Sequence, residues 1–276
     1  MWIKFNKTGQ QSNFMITKNE IHMAAQLVST FPRSFLPESE GDEFAALLWD
    51  AKKRLLKTQY FGAMKNVQLG LNMLKYQIEV HIEEMIFDSL ALEGKSVKEL
   101  REWLLDKFQG IQIDTTNYSS ALPYQLDTIE FDEDYIFEPA DGDDLNFLTI
   151  LYQNAFTSFQ KTIETHNLKK EKIRTWPHHF DMAFTMPVAS ESTLTIGMSP
   201  GDHQFAEPYF FVSQWPKAED IPVSKLTPIV GRWHQDGWQG LVLPANDFIL
   251  ENEYLQERII LDFIKNAIQL VKKIAV

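Results

Sequence analysis

The chain of 276 residues contains no cysteine. This absence excludes disulfide bonds, thiolate nucleophiles, cysteine-ligated zinc and iron–sulfur clusters. The sequence also lacks a phosphate-binding glycine loop of the Walker or Rossmann type and a Gly-x-Ser-x-Gly nucleophile elbow. No motif therefore nominates a catalytic nucleophile, and the sequence leaves both the cofactor and the question of enzymatic activity open.

Positive charge is scarce, with 26 Lys and Arg against 38 Asp and Glu and a net charge of −12. The short basic runs Lys52-Lys53-Arg54 and Lys169-Lys170 are typical of solvated helix faces. A protein that neutralises phosphates needs a larger basic face, so we predict no nucleic-acid partner.

Long apolar runs are absent as well. No stretch approaches the length that spans a bilayer, and Met1–Gln11 lacks the apolar core of a signal peptide. We therefore expect a cytoplasmic protein without a membrane partner. With 44% hydrophobic and 13% aromatic residues, the chain has enough apolar side chains for a substantial core.

Hydrophobic periodicity predicts the α+β class, with mainly antiparallel sheets on which helices pack. A 3.6-residue period indicates helices at 42–58 and 144–166 and a long amphipathic C-terminal helix at about 251–274. The length allows one large domain or two small ones. We predict a single α+β unit over 1–276, with two subdomains, about 1–140 and 141–276, as the alternative.

Capping residues define two helix starts. Ser96 and Glu99 form a capping box for a helix that Gly110 ends. An acidic run precedes the helix at 144–166, and we interpret Asp141 or Asp143 as the cap of that helix rather than as part of a calcium loop.

Strands are predicted in both halves of the chain. Between 66 and 92 the residues alternate, and His81 falls with Glu79 on the side opposite the apolar side chains, so we expect His81 to be exposed. The second half is predicted to hold four strands, near 178–186, 192–198, 207–215 and 238–243.

Polar and aromatic residues are densest between Trp176 and Trp238, where four of the seven histidines and four of the seven tryptophans lie. Such density is typical of a binding pocket or an active site. The candidate ligand-binding residues of this stretch are His178, His179, Asp181, Asp202, His203, Glu207, Tyr209, Arg232 and His234.

The run Trp176-Pro-His-His-Phe-Asp181 opens the stretch. If the run is extended, alternation places His178 on an apolar core face and places His179 and Asp181 on the opposite face. His178 is then either a core histidine with hydrogen-bonded ring nitrogens or a pocket histidine that desolvation keeps neutral. Because the two histidines are on opposite faces, we do not expect them to ligate one metal together.

A metal site is the less favoured interpretation of these residues. His179 and Asp181 are two positions apart, and this spacing suits either a hydrogen bond or two ligands of one metal, with Glu207 as a candidate third ligand. Other candidates for the third ligand are Asp202, His203 and His234. No fixed-spacing motif supports the site, so we predict no metal.

The loops of the stretch allow two interpretations. A Pro-Gly pair before Asp202 suits the centre of a type II turn, and Asp202 either bonds the local backbone or is presented with His203 over the sheet end. Glu207 and Tyr209 alternate onto one strand face, as in a ligand site or a solvated sheet face. The loop at 232–238 either covers a pocket or fixes the chain with buried tryptophans.

Four motifs carry a resemblance. They are Trp176-Pro-His-His-Phe-Asp181, Ser199-Pro-Gly-Asp202, Glu207-Pro-Tyr-Phe-Phe-Val212 and Gly237-Trp-Gln-Gly-Leu-Val-Leu-Pro244. Residues 140–276 resemble a bacterial domain family of unknown function that is known for these motifs. The resemblance implies an α+β unit, and it assigns no catalytic residue because the family has no established activity.

Two functions are compatible with the stretch. In the first, the protein binds a small molecule in a pocket of aromatic, histidine and carboxylate side chains, with a histidine as general base if chemistry occurs. In the second, it is a non-catalytic structural or protein-interaction protein whose motif residues serve packing and turns. A twofold homodimer is our expectation for its oligomeric state, although no patch in the sequence identifies an interface.

Overall fold

The computed structural model describes residues 2–5, 11–38, 42–62, 66–126, 129–168, 170–189, 192–215 and 226–272. The chain forms two compact units, each built from discontinuous segments. The first, here the five-stranded unit, comprises Thr8–Thr149 and Thr175–Phe180. The second, here the six-stranded unit, comprises Met1–Lys7, Ile150–Arg174 and Asp181–Val276. The predicted α+β class with antiparallel sheets is confirmed.

The five-stranded unit contains one sheet in which each strand pairs with the next along the chain. All pairings are antiparallel. Its strands are β1 (Leu48–Asp50), β2 (Leu55–Lys57), β3 (Val67–Asn72), β4 (Gln77–Ile82) and β5 (Met85–Ala91). The strands expected between 66 and 92 are therefore confirmed as β3, β4 and β5.

Helix α1 (Gln11–Phe35) also belongs to this unit, and sequence periodicity did not reveal it. Every side chain from 20 to 32 is buried, so the polar residues of this part of the helix are shielded from solvent together with the apolar ones. Its buried polar side chains are Thr17, Lys18, Glu20, His22, Gln26, Ser29 and Thr30. Among the helices of the described ranges, none is long and apolar enough to cross a membrane.

The helix predicted at 42–58 is wrong, because β1 and β2 form a hairpin there. The carboxylate of Asp50 accepts hydrogen bonds from the backbone N–H groups of Lys52 (3.0 Å) and Lys53 (2.9 Å). Arg54 closes the turn with φ of 55°. An aspartate side chain that bonds the backbone two and three residues on favours a turn over a helix.

The expected exposure of His81 is also wrong, because both faces of β4 are buried. His81 is 0% exposed and Glu79 is 1% exposed. His81 Nε2 donates to Glu79 Oε2 at 2.8 Å, and Asn72 donates to the other carboxylate oxygen at 3.0 Å. Alternation predicts exposure only where one face of a sheet meets water, and here a hydrogen-bonded polar group replaces solvent.

The capping box is confirmed at the start of α2 (Val97–Gly110). Ser96 Oγ accepts the N–H of Glu99 at 3.1 Å, and Glu99 Oε2 accepts the N–H of Ser96 at 2.8 Å. The helix buries its apolar positions 97, 100, 104 and 108.

The other two helices confirm the periodicity in the second half of the chain. Helix α3 spans Gly142–Thr165, and Asp141 is its cap, with one carboxylate oxygen accepting the N–H groups of Asp143 (2.8 Å) and Asp144 (3.1 Å). Helix α4 spans Glu253–Lys272, and the predicted extension to 273–274 lies outside the described residues.

The six-stranded sheet has the order β10-β11-β9-β8-β7-β6. The four predicted strands are confirmed with shifted ends, and the short β6 and β10 were not predicted. Its strands are β6 (Arg174–Trp176), β7 (Asp181–Ala189), β8 (Ser192–Ser199), β9 (Tyr209–Trp215), β10 (Arg232–His234) and β11 (Gly240–Pro244). Phe159 of α3 packs on Phe184 and Phe210, which marks the core face of this sheet.

A glycine of this unit provides a test of its packing. Gly231 has φ of 78°, and a Cβ there would lie 2.5 Å from the carbonyl oxygen of Val242 and 2.8 Å from the ring of Phe263. We expect Gly231→Ala to lower the free energy of unfolding by about 2–4 kcal/mol, from left-handed strain plus the clash. Gly94→Ala is the matched control, since Gly94 has φ of 71° with nothing within 4 Å. If urea denaturation showed the same loss of unfolding free energy for both variants, the close packing around Gly231 would be contradicted.

A second test concerns the buried carboxylate of Glu79. Burial alone would raise its pKa, but hydrogen bonds from His81, Asn72 and Gln77 lower it from 4.5 to about 2. The stabilisation is therefore complete above pH 4.5 and is lost as the pH falls towards 2. We expect Glu79→Gln to lower the free energy of unfolding at pH 7 by roughly 2–3 kcal/mol and to flatten its decline in acid. Urea denaturation from pH 7 to pH 3 measures both, and Glu102→Gln on an exposed carboxylate should change neither.

Candidate functional site

The run from Trp176 to Asp181 is not extended. Strand β6 ends at Trp176, and residues 177–180 form a turn that the N–H of Phe180 closes by donating to the carbonyl of Trp176 at 2.7 Å. Phe180 has φ of 55°, an uncommon value for a non-glycine residue. Strand β7 begins at Asp181. The alternation predicted for His178, His179 and Asp181 is therefore wrong, and residues 177–180 are named the histidine turn below.

Helix α1 holds the histidine turn through the carbonyl oxygen of Pro177. His22 Nε2 donates to this oxygen at 2.7 Å, and the amide of Gln26 donates to it as well. The ring of His22 also stacks on Phe180, with centroids 5.0 Å apart and planes 10° from parallel. Sequence reasoning missed both α1 residues, because their i, i+4 spacing is informative only once the segment is known to be helical.

Burial keeps His22 neutral. Burial lowers its pKa from 6.5 to about 3. The nearby positive charge of Lys18 also lowers the pKa, whereas the hydrogen bond to Pro177 raises it. Because Nε2 donates, Nδ1 is an unprotonated acceptor. This atom is buried and has no hydrogen-bond partner among the described residues.

The two histidines of the turn lie side by side. Their ring centroids are 4.3 Å apart, and the ring of His178 also lies 5.4 Å from that of Tyr124 and 6.2 Å from that of Trp176. His178 is half-buried and His179 is exposed. Burial lowers the pKa of His178 to about 4, and the neighbouring His179 adds to this effect. Both imidazoles thus belong to one cluster instead of opposite strand faces.

Tyr124 connects this cluster to helix α1 and to a groove. Its hydroxyl donates to Gln26 Oε1 at 2.8 Å, so one glutamine side chain bonds both the histidine turn and the tyrosine beside it. The guanidinium of Arg33 lies 5.5 Å from the Tyr124 ring. Tyr124 also borders a surface groove of about 590 Å³, whose apolar lining includes Leu122, Leu126, Ile129 and Phe131.

The remaining candidates lie in the six-stranded unit, where Asp202 organises a loop. One carboxylate oxygen accepts the N–H groups of Gln204 and Phe205, each at 2.8 Å, and the other accepts the Tyr209 hydroxyl at 2.6 Å. Burial and this carboxylate raise the pKa of Tyr209. Gly201 has φ of 111°, which confirms the positive φ predicted for the Pro-Gly pair. The local-backbone interpretation of Asp202 therefore holds.

Three more candidates stabilise neighbouring loops. Glu207 Oε2 accepts the N–H of Asn246 at 3.2 Å, and Arg232 forms an exposed ion pair with Asp247 at 3.4 Å. His234 Nε2 donates to the carbonyl of Asp236 at 2.7 Å. These polar groups are engaged in hydrogen bonds that shape the loops around β9 and β11.

Asp181 and His203 complete the candidate set. Asp181 is half-buried at the start of β7, and it adds to burial in raising the pKa of Tyr152. His203 is exposed in the loop after Asp202. In the described part of the chain, no three His, Asp or Glu side chains are grouped so that they could hold a metal ion, and this includes the set His179, Asp181 and Glu207.

Comparisons of the chain with protein-family models, with curated proteins and with solved structures gave no match.

The neutral histidines give a direct test of the cluster. We expect the imidazoles of His22 and His178 to titrate at pKa values of about 3 and 4 in NMR of histidine-labelled protein, against 6.5 for the unfolded chain. Since the unfolded state then binds more protons, stability should fall as the pH drops from about 6.5 towards 4. Titration of either ring near 6.5 would show that it is solvated and that the turn does not pack on α1 as described.

Proposed function

We propose that the protein binds a small molecule at the histidine turn. The observation that supports this proposal is the state of the two imidazoles: within the ranges that the structure describes, no hydrogen-bond partner is found for His178 or His179. By contrast, Asp202, Glu207 and His234 all bond the backbone of their own or an adjacent loop. The two imidazoles of the turn thus lie beside other rings and are not bonded to a loop backbone among the described residues.

The chemistry of the cluster indicates the kind of ligand. A neutral imidazole offers an unprotonated nitrogen as hydrogen-bond acceptor. The rings of Trp176, Tyr124 and His179 around His178 offer flat apolar surface, and the groove beside Tyr124 has a volume typical of small-molecule sites. A planar molecule that carries N–H or O–H donors fits this combination.

The same electrostatics favour binding over acid–base chemistry. A general base works best when its pKa lies near the working pH, and burial holds the pKa of His178 at about 4. A base this weak removes protons poorly at neutral pH, whereas its capacity to accept a hydrogen bond is undiminished. We therefore propose a binding site and assign no catalytic residue.

The backbone of the turn supports the proposal as well. A left-handed non-glycine residue costs energy, and such strain persists where the surroundings over-determine the conformation, often at functional sites. Here Phe180 adopts φ of 55° while His22 and Gln26 fix the carbonyl at the start of the turn. The backbone that carries the two imidazoles is consequently fixed before any ligand arrives, which lowers the entropy cost of binding.

The test is a fragment screen by NMR with a library of planar heterocycles and phenols on histidine-labelled protein. We expect hits that shift the His178 and His179 signals, and we expect His178→Ala to weaken their binding about tenfold or more, the value of one hydrogen bond with its ring contacts. His166→Ala, which removes an exposed histidine of the six-stranded unit, is the matched control. A library without hits at these signals, or hits that bind His178→Ala equally well, would refute the proposal.

Three further parts of the proposal rest on the sequence. Membership of the bacterial family of unknown function is supported by the four motifs, of which the first forms the histidine turn and the second forms the Asp202 loop. A cytoplasmic location is supported by the absence of cysteine. The absence of a nucleic-acid partner is supported by the net charge of −12. A structural role for Asp202, Glu207, Arg232 and His234 is supported by their loop contacts.

A further inference from the structure

The backbone of the N-terminal residues is held by two side-chain amides. Asn154 of α3 accepts the N–H of Ile3 at 2.9 Å and donates to the carbonyl of Ile3 at 2.6 Å. Gln256 of α4 accepts the N–H of Phe5 at 2.9 Å and donates to the carbonyl of Phe5 at 3.1 Å. Each amide thus bonds both backbone groups of one residue, and the pair Asn154 and Gln256 is named the amide clamp below.

The amide clamp bonds the chain in the pattern of a neighbouring strand. In an antiparallel ladder, every second residue exchanges both its N–H and its C=O bond with the same neighbour, and Ile3 and Phe5 are two positions apart. The segment itself belongs to neither sheet. Hydrogen bonds to the main chain of an extended segment are how peptide sites obtain affinity that does not depend on side-chain identity.

Two aromatic side chains anchor the same segment. Trp2 is 6% exposed and Phe5 is 2% exposed, and their ring centroids lie 5.7 Å apart. The ring of Phe5 also lies 5.9 Å from that of Phe248, which in turn contacts Phe210 of the sheet. The two residues between the anchors are not buried. Pockets for particular side chains give a peptide site its sequence preference, and here they accept large aromatic residues three positions apart.

The segment occupies the amide clamp as a bound peptide would. Met1–Lys7 belongs to the six-stranded unit, but the chain then enters the five-stranded unit and returns to the six-stranded unit only at Ile150. No short covalent link therefore joins the segment to the helices that hold it. A second peptide with the same pattern offers the same backbone groups and the same anchors.

We propose that the amide clamp is a binding site for an extended peptide with large aromatic side chains at its first and fourth positions, and that Trp2–Phe5 is its resident ligand. A partner segment of this pattern replaces the resident segment when the latter dissociates. The apparent affinity for the partner is the intrinsic affinity reduced by the fraction of sites that are open, so the resident segment sets the strength of the interaction. This inference is independent of ligand binding at the histidine turn.

Binding of a synthetic peptide to the full chain tests the proposal. The probe has the sequence of Met1–Lys7, and the receptor is the full chain with both Trp2→Ala and Phe5→Ala, in which the resident segment has lost its anchors. We expect the peptide to bind this variant, to raise its melting temperature and to shift the side-chain amide signals of Asn154 and Gln256 in NMR. The wild-type chain, whose site is filled, should bind the peptide at least about tenfold more weakly.

Modified peptides separate backbone recognition from hydrophobic adhesion. N-methylation of Ile3 removes the N–H that Asn154 accepts, and we expect it to weaken binding at least about tenfold, because a buried acceptor is left without its donor. N-methylation of Lys4 is the matched control, since no hydrogen bond from its N–H is found among the described residues. This peptide should bind as well as the unmodified one.

Three outcomes would overturn the proposal. The first is a doubly substituted chain that stays folded by circular dichroism and does not bind the peptide at concentrations on the order of 1 mM. The second is equal binding of the peptides methylated at Ile3 and at Lys4. If the two substitutions unfold the chain, the peptide should restore its helical circular dichroism, and failure to do so is the third.

Discussion

The hydrogen bonds from helix α1 to the carbonyl oxygen of Pro177 decide the conformation of the residues that follow it. His22 and Gln26 are buried donors, and leaving either without a partner costs about 1–3 kcal/mol. A left-handed residue such as Phe180 costs about 1–2 kcal/mol. Two satisfied donors and a buried ring stack outweigh one strained residue, so the chain turns instead of continuing as a strand.

The polar residues of the candidate set have different roles in the two units. In the six-stranded unit, Asp202, Glu207 and His234 satisfy backbone groups of the loops that surround them. In the five-stranded unit, α1 donates to one backbone group of the turn, the carbonyl of Pro177, and no hydrogen-bond partner is found among the described residues for the imidazoles of His178 and His179. A high density of polar and aromatic residues along the sequence therefore has two causes here: residues that stabilise loops and residues of a candidate site. The residues that stabilise loops are recognised by their hydrogen bonds to the loop backbone.

Errors of sequence reasoning have physical causes here. The capping box at Ser96 and the amphipathic α4 were predictable because their determinants lie within a few residues. The segment 42–58 forms a hairpin and not the expected helix, because the side chain of Asp50 stabilises a turn there. His81 is buried and not exposed as expected, because the carboxylate of Glu79 replaces solvent as its hydrogen-bond partner. Helix α1 was not predicted, although its apolar residues are arranged with a helical period like those of α2.

The sequence by itself determined the α+β class, the positions of the long C-terminal helix and of most strands, and the region that holds the candidate residues. Tertiary structure decided which of those residues come together. The donors that shape the histidine turn lie 155 and 151 residues before Pro177, in a different element of the fold. Periodicity and capping act over a few residues, whereas the conformation of this turn depends on buried groups brought to it by folding.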